Sequence, residues 1–223
     1  MSSDVKRRYD AGGRQAKSAE TRQRIIDAAR TLMLERGYRS TSVAAIASEA
    51  DVNVDTLYAL VGRKPAILRE IIEQSISGVD HAVPAEARGY VAAVRAEPDG
   101  ARKLSIYASA VRHIQARLAP IARVVREAAP SEPSVAALWH EIGERRAANM
   151  RSFVRDVAAA TPLREGLSVE RAADIVWTLN STDVYLLFTA DRGWTPDDFE
   201  QWLGDTWRRL LLDVSAPDRT LTT

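Results

Sequence analysis

Apolar residues recur along most of the chain at intervals of three and four, and no stretch alternates apolar and polar positions as a half-buried strand does. The pattern predicts an all-α fold of about nine helices, since most of the prolines (Pro65, Pro84, Pro98, Pro120, Pro130, Pro133, Pro162, Pro196 and Pro217) lie between periodic segments that they cannot continue. Residues 1–17, which include Gly12-Gly13, carry no apolar rhythm and are expected as a flexible basic arm. A first helix is expected from the N-cap candidate Ser18, with Ile25, Ile26, Ala29, Leu32 and Met33 turned inward and Gly37 as its terminator. A short helix follows Thr41-Ser42, with Val43, Ile46, Ala47 and Ala50 at helical spacing.

Only Asp51-Val52-Asn53 separates this second helix from a third that starts at Val54. Asp and Asn tolerate the left-handed backbone of so tight a turn, and Asn53 is placed to cap the third helix. Gly62 closes that helix, and Arg63-Lys64-Pro65 opens a fourth with proline in its first turn. Two short helices joined this closely and braced by a longer one make a helix-turn-helix.

Thr41-Ser42-Val43-Ala44-Ala45-Ile46-Ala47, Ala50-Asp51-Val52-Asn53, Thr56-Leu57-Tyr58 and Gly62-Arg63-Lys64 resemble the N-terminal signature of the TetR family of bacterial transcriptional regulators. The likeness spans about residues 18–72. It implies an N-terminal three-helix DNA-binding domain, set here at 18–65, and a C-terminal helical effector-binding and dimerisation domain at 66–223. It also implies phosphate contacts from Tyr58, Lys64 and the Thr41-Ser42 pair. The third helix is then expected in the major groove of double-stranded DNA, with Asn53, Val54, Asp55 and Thr56 nearest base edges. At Lys64 the physics agrees, because a cation beside the amides of a helix N-terminus suits a phosphate. Each role has a plainer counterpart: Tyr58 in the core, Lys64 as a solvated surface cation, Asn53 and Thr56 as capping groups only. The chain departs from the family pattern at Asp51, where glycine is usual, at Asp55, where a small residue is usual, and at Ala59-Leu60-Val61, which cannot hydrogen-bond as the usual aromatic or histidine does.

Farther along, helices are expected near 85–97, 101–128 with a break at Pro120, 134–160, 168–190 and 196–214. On the 134–160 helix, Arg146 and Asn149 interrupt the stripe Val135, Leu138, Ile142, Phe153, Val157; on 168–190, Asn180 and Asp183 do the same. Polar groups on an inward stripe need partners, so Arg146 and Asp183 pair with each other, await a ligand, or lie exposed at the rim of the core. In the ligand reading Tyr107, His113, Trp139, Trp177, Asn180 and Asn149 join them in one cavity. The last two helices are apolar over so much of their surface, at Leu179, Leu186, Leu187, Trp202, Leu203, Trp207 and Leu210, that a second copy is expected to cover part of it. A homodimer would place two reading heads on a pseudo-palindromic operator.

Composition narrows the function classes. The 223 residues include no cysteine, which removes disulfides, thiolate metal sites and cysteine nucleophiles. No apolar run approaches a membrane span, and Lys6, Arg7 and Arg8 precede no signal-like segment, so a cytoplasmic protein is expected. His140-Glu141-Ile142-Gly143-Glu144 begins like a zinc-protease helix but has Glu144 where the second histidine belongs, so no metal, no cofactor and no enzymatic activity are expected. The net charge of +1 hides a division: residues 1–65 hold 12 basic and 8 acidic side chains, and the remainder carries a net −3. The arm alone contributes 5 basic against 2 acidic, and it serves either as a plain tail or as a minor-groove contact. The leading expectation is a sequence-specific regulator, a repressor released from its operator by an unidentified small molecule. The alternatives are a helical ligand-binding or interaction protein with a decayed reading head, and an enzyme.

Overall fold

The computed structural model describes the backbone of residues 3–213, with side chains described at residue 13 and from residue 15 onward. Ten α-helices account for most of it: α1 (Ser3–Ser40), α2 (Val43–Glu49), α3 (Val54–Leu60), α4 (Lys64–Ser77), α5 (Gly89–Ala96), α6 (Gly100–Ala128), α7 (Pro133–Ala160), α8 (Val169–Leu179), α9 (Thr182–Leu186) and α10 (Pro196–Leu211). A 3₁₀ turn (Ala85–Ala87) precedes α5 and a π-helical turn (Leu187–Asp191) follows α9. Among the described residues there is no β-strand beyond an isolated bridge between Leu163 and Leu212, so the all-α expectation holds.

The chain forms two compact units, Met1–Ala82 with Pro120–Leu138, and Val83–Ala119 with Trp139–Thr223. The sequence reading set its division at residue 65; the first unit here runs to Ala82 and also takes in the end of α6 and the start of α7 on either side of the 129–132 turn.

In the first unit α1 packs on α2, α3 and α4. Its expected apolar stripe is buried throughout, with Ile25, Ile26, Ala29 and Met33 at 0% exposure, against a lining of Ile46, Leu57, Ile67, Leu68, Ile71 and Ile72. Removing one such side chain costs about 2–5 kcal/mol. Polar groups fix the register of α1 on α4: Arg22 pairs with Glu70 at 2.7 Å, the Gln23 and Gln74 amides bond to each other, and Arg30 donates to Ser75 Oγ at 2.9 Å. Gly37 breaks the helical path with φ 77°, a value that suits glycine, and Gly78 caps α4 in the left-handed region.

Sequence periodicity misplaces four boundaries. α1 continues back to Ser3, through the stretch expected as an arm, and the side chains of Lys6, Arg7, Arg8 and Arg14 lie outside the described residues. Pro120 leaves α6 unbroken because both Pro120 and Ala116, whose carbonyl loses its donor, are exposed to water. The helix expected over 168–190 ends at Leu179. Asn180 caps α8, Ser181 Oγ accepts from the Val184 N–H to start α9, and a π turn follows. α10 starts as expected, in a capping box of Thr195 with Asp198, but ends at Leu211, where Arg164 N–H bonds the Leu211 carbonyl at 2.8 Å.

The second unit buries Leu104, Tyr107, Val154, Val157, Val176, Phe199, Leu203 and Trp207 in one core. Lys103, 3% exposed, reaches the Val94 carbonyl at 2.6 Å and Asp156 at 2.8 Å, so the buried ammonium is paired. Leu203 and Trp207, expected at the dimer interface, are instead at 0% exposure within their own chain. Phe199 and Trp207 sit on the same face of α10 and are packed by the chain's own aromatic residues, Tyr185 and Tyr107. Leu187 is 56% exposed, and Leu179, Leu186, Trp202 and Leu210 are half-buried.

Candidate nucleic-acid interface and interior polar cluster

The turn between α2 and α3 is built almost wholly from local bonds. Ala50 N–H returns to the Ile46 carbonyl at 3.0 Å, Asp51 N–H to Ser48 at 3.2 Å and Val52 N–H to Ala47 at 3.0 Å. Asp51 has φ 53°, the only described non-glycine residue in the left-handed region, and it stands at the position where the resemblance leads one to expect glycine. Asn53 Oδ1 accepts from the Thr56 N–H at 2.7 Å and starts α3. Leu57, fully buried, anchors the helix, and Gly62 with φ 102° releases the chain toward α4.

This anchoring turns a polar face outward. Asn53 and Asp55 are exposed, Val54 and Thr56 half-buried, and Tyr58 is 46% exposed, which removes the core reading of that tyrosine. Ser42 is exposed and accepts from the Ala45 N–H at 3.0 Å, capping α2. Thr41 departs from expectation: it is 1% exposed and its hydroxyl donates to the Gly37 carbonyl at 2.8 Å, so its side chain braces the end of α1 and does not reach a phosphate.

Lys64 has a structural role that sequence reading missed. Its ammonium donates to the carbonyls of Tyr38 at 3.0 Å and Thr41 at 3.1 Å and lies 4.1 Å from the centre of the Tyr38 ring. Desolvation lowers its pKa from the usual lysine value, against a smaller opposing pull from Glu132. Burial likewise raises the Tyr38 phenol, helped by Glu132. Two of three ammonium donors are thus committed within the unit, and one is left for a phosphate. The signal in the sequence was Tyr38 itself, an aromatic residue directly after the Gly37 break.

In the second unit, residues of α5, α7, α10 and the α8 cap converge on Tyr107 of α6. Its ring stacks on Trp207 at 5.5 Å and meets Phe153 at 4.5 Å and Tyr90 at 5.8 Å. Its hydroxyl lies 3.3 Å from Met150 Sδ and accepts from Asn180 Nδ2 at 3.1 Å. Gln115 donates to the Asn180 carbonyl at 2.6 Å and accepts from Thr182 Oγ1 at 2.8 Å. Burial drives the Tyr107 phenol far above its ordinary pKa, so it is a neutral donor and acceptor at any physiological pH. Of the residues expected at a ligand site, Tyr107 and Asn180 therefore meet in the interior. Arg146 is half-buried, stacks on Trp177 at 4.4 Å and donates to the Trp177 carbonyl at 3.2 Å. Trp139 and Asn149 are half-buried on α7, while His113, Trp177 and Asp183 are exposed and lie outside the buried cluster. Sequence reading missed Gln115, Met150 and Thr182, none of which is unusual for its helix.

The family-model match lies within the first unit. Residues 25–71 match the family model described as bacterial regulatory proteins, tetR family. No curated protein sequence matches the chain. Among solved structures, FadR from Bacillus subtilis in complex with stearoyl-CoA is 19% identical, with 82% of this chain and 96% of that one covered at a TM-score of 0.66. A protein of Saccharomonospora viridis in complex with choline is 19% identical over 87% and 98% of the two chains, TM-score 0.64. Salmonella enterica GusR is 21% identical over 86% and 95%, TM-score 0.64. At these identities the likeness establishes the fold, including that of the C-terminal helices.

Proposed function

We propose that this chain, a member of the tetR family of bacterial regulatory proteins by its residues 25–71, is a ligand-responsive, sequence-specific DNA-binding transcriptional regulator. The observation that carries the reading is the outward face of α3, where Asn53, Asp55 and Tyr58 are exposed on a helix held from beneath by Leu57. Such a face, on the second helix of a helix-turn-helix, enters the major groove with Tyr58 and Lys64 on phosphates. The regulator acts in the cytoplasm as a homodimer on a pseudo-palindromic operator, and Leu187 with the half-buried Leu179, Leu186, Trp202 and Leu210 supplies apolar surface for the second copy. Among the described residues no helix is long and apolar enough to cross a membrane.

Two similar proteins were crystallised with stearoyl-CoA and with choline, which supports a small-molecule effector for the second unit. The effector releases the operator by binding more tightly to the conformation whose heads do not fit it, and the chain acts as a repressor. The test is anisotropy titration against DNA selected by the protein from a random pool, across a salt series. Tight binding to a palindromic site with a steep salt dependence is expected. Binding that ignores sequence overturns the reading in favour of a helical interaction protein with a vestigial head.

A further inference from the structure

We propose that the Tyr107 cluster binds a small organic acid, its carboxylate held by the Arg146 guanidinium and its aromatic or apolar body set against the rings of Tyr90, Tyr107 and Phe153. The inference rests on the ligand-responsive reading above and gives that ligand a chemical class.

Two interior polar atoms have no protein partner. Asn180 Oδ1 and Trp207 Nε1 are both buried, on residues 3% and 0% exposed. Turning the Asn180 amide over leaves its NH₂ unmatched instead, because the other end is taken by the Tyr107 hydroxyl and Met150 Sδ. Native interiors leave few such groups, and two around one tyrosine mark a place where a further donor and acceptor belong. One indole N–H with one amide oxygen suits an ordered water beside the ligand, since water both donates and accepts.

Charge selects the class. Arg146, Met150 and Phe153 share one face of α7 at i, i+4 and i+7, the face that meets Tyr107. Among the described residues Arg146 has no carboxylate partner: its one hydrogen bond goes to the Trp177 carbonyl and its Cζ lies over the Trp177 ring. A guanidinium carries five N–H donors in a fork that fits a carboxylate, so most of its capacity is unspent. Burial already lowers its proton affinity, a cost that an anion would reverse. Arg88 is a second cation whose charge acts on the same tyrosine hydroxyl, and its guanidinium donates to the Val83 carbonyl at 3.1 Å. Among the described residues neither cation has an acidic partner, and two such charges beside a buried aromatic group favour an anionic head and disfavour a quaternary ammonium.

The test is isothermal titration of the full-length protein with phenylacetate and octanoate, each against its neutral amide, and with choline. At least one acid is expected to bind, with its amide weaker by about tenfold or more. R146Q should bring acid and amide together, and R146K should keep part of the difference, with the melting temperature of each variant confirming that it folds. Phenylacetate against octanoate separates an aromatic from an aliphatic body. Equal binding of acid and amide, preference for choline, binding of neither acid, or an acid preference that survives R146Q each overturns the proposal, and the first three need no variant. Release of bound DNA by a bacterial small-molecule extract, when both acids fail, removes the acidic class and leaves the ligand-responsive reading standing. An extract without effect removes that reading as well.

Discussion

Replacing Lys64 by alanine separates two roles that the sequence merges. A lysine that only touches phosphate contributes nothing to folding, and its loss changes stability by no more than about 0.5 kcal/mol. The observed Lys64 instead ties the start of α4 to the end of α1 through the Tyr38 and Thr41 carbonyls at 3.0 and 3.1 Å and the Tyr38 ring at 4.1 Å. Hydrogen bonds from a charged donor contribute about 1.5–3 kcal/mol each, and the low end applies because Lys64 is half-buried; the cation over the ring adds about 0.5–1 kcal/mol. After hydration of the freed carbonyls, K64A should cost about 2–3 kcal/mol, a sizeable share of the 5–15 kcal/mol that holds an ordinary domain together. Urea denaturation followed by circular dichroism reads this directly. K64A should also lower the slope of log affinity against log salt by about 0.9 if the third donor meets a phosphate. Y58F, on an exposed ring, should leave stability unchanged while weakening DNA binding. A K64A protein of wild-type stability would refute the brace, and a wild-type salt slope would refute the phosphate contact.

Asp51, at φ 53°, should tolerate glycine with a gain of up to about 1 kcal/mol, whereas D51V should lose about 1–2 kcal/mol by thermal melting; equal melting of the two variants would contradict the turn geometry. Removal of residues 1–17, with their 5 basic side chains, should flatten the salt dependence of DNA binding, as measured by anisotropy. Leu187, 56% exposed, should carry a large share of the contact between copies, so L187E is expected to sediment as a monomer at concentrations where the wild type is dimeric. Hydrogen bonds from the Thr195 hydroxyl, then from its backbone, hold the Asp198 carboxyl below its ordinary pKa. The resulting stabilisation is full above the ordinary carboxylate range and is lost as pH falls through the lowered value. The protection of the amides in the first turn of α10, corrected for the intrinsic exchange rate at each pH, should fall as pH drops below about 4, and D198N should remove that pH dependence.

What could be read from the sequence divides along the range of the interactions. The helix-turn-helix was legible because each of its boundaries is written within four residues: Ser42 caps α2, Asn53 caps α3, Gly62 ends it and Pro65 opens α4. Where a side chain's partner lies far along the chain, the same residues mislead. Lys64 finds Tyr38 26 residues away, and no local pattern tells that brace from a solvated cation. Asn180 was visible as a polar break in an apolar stripe, yet only the fold reveals that it is a helix cap turned inward toward Tyr107. The α10 stripe shows the limit most plainly. Periodicity establishes that Phe199, Leu203, Trp207 and Leu211 share an apolar face, but it is silent on whether the chain itself or a second copy covers it. Here the chain covers it completely, with all four at 0% exposure. The apolar surface left for a partner is therefore what α10 does not bury, together with Leu187 on the π turn, and the centre of any contact between copies moves from the Leu203–Trp207 stripe toward Leu187 and Trp202.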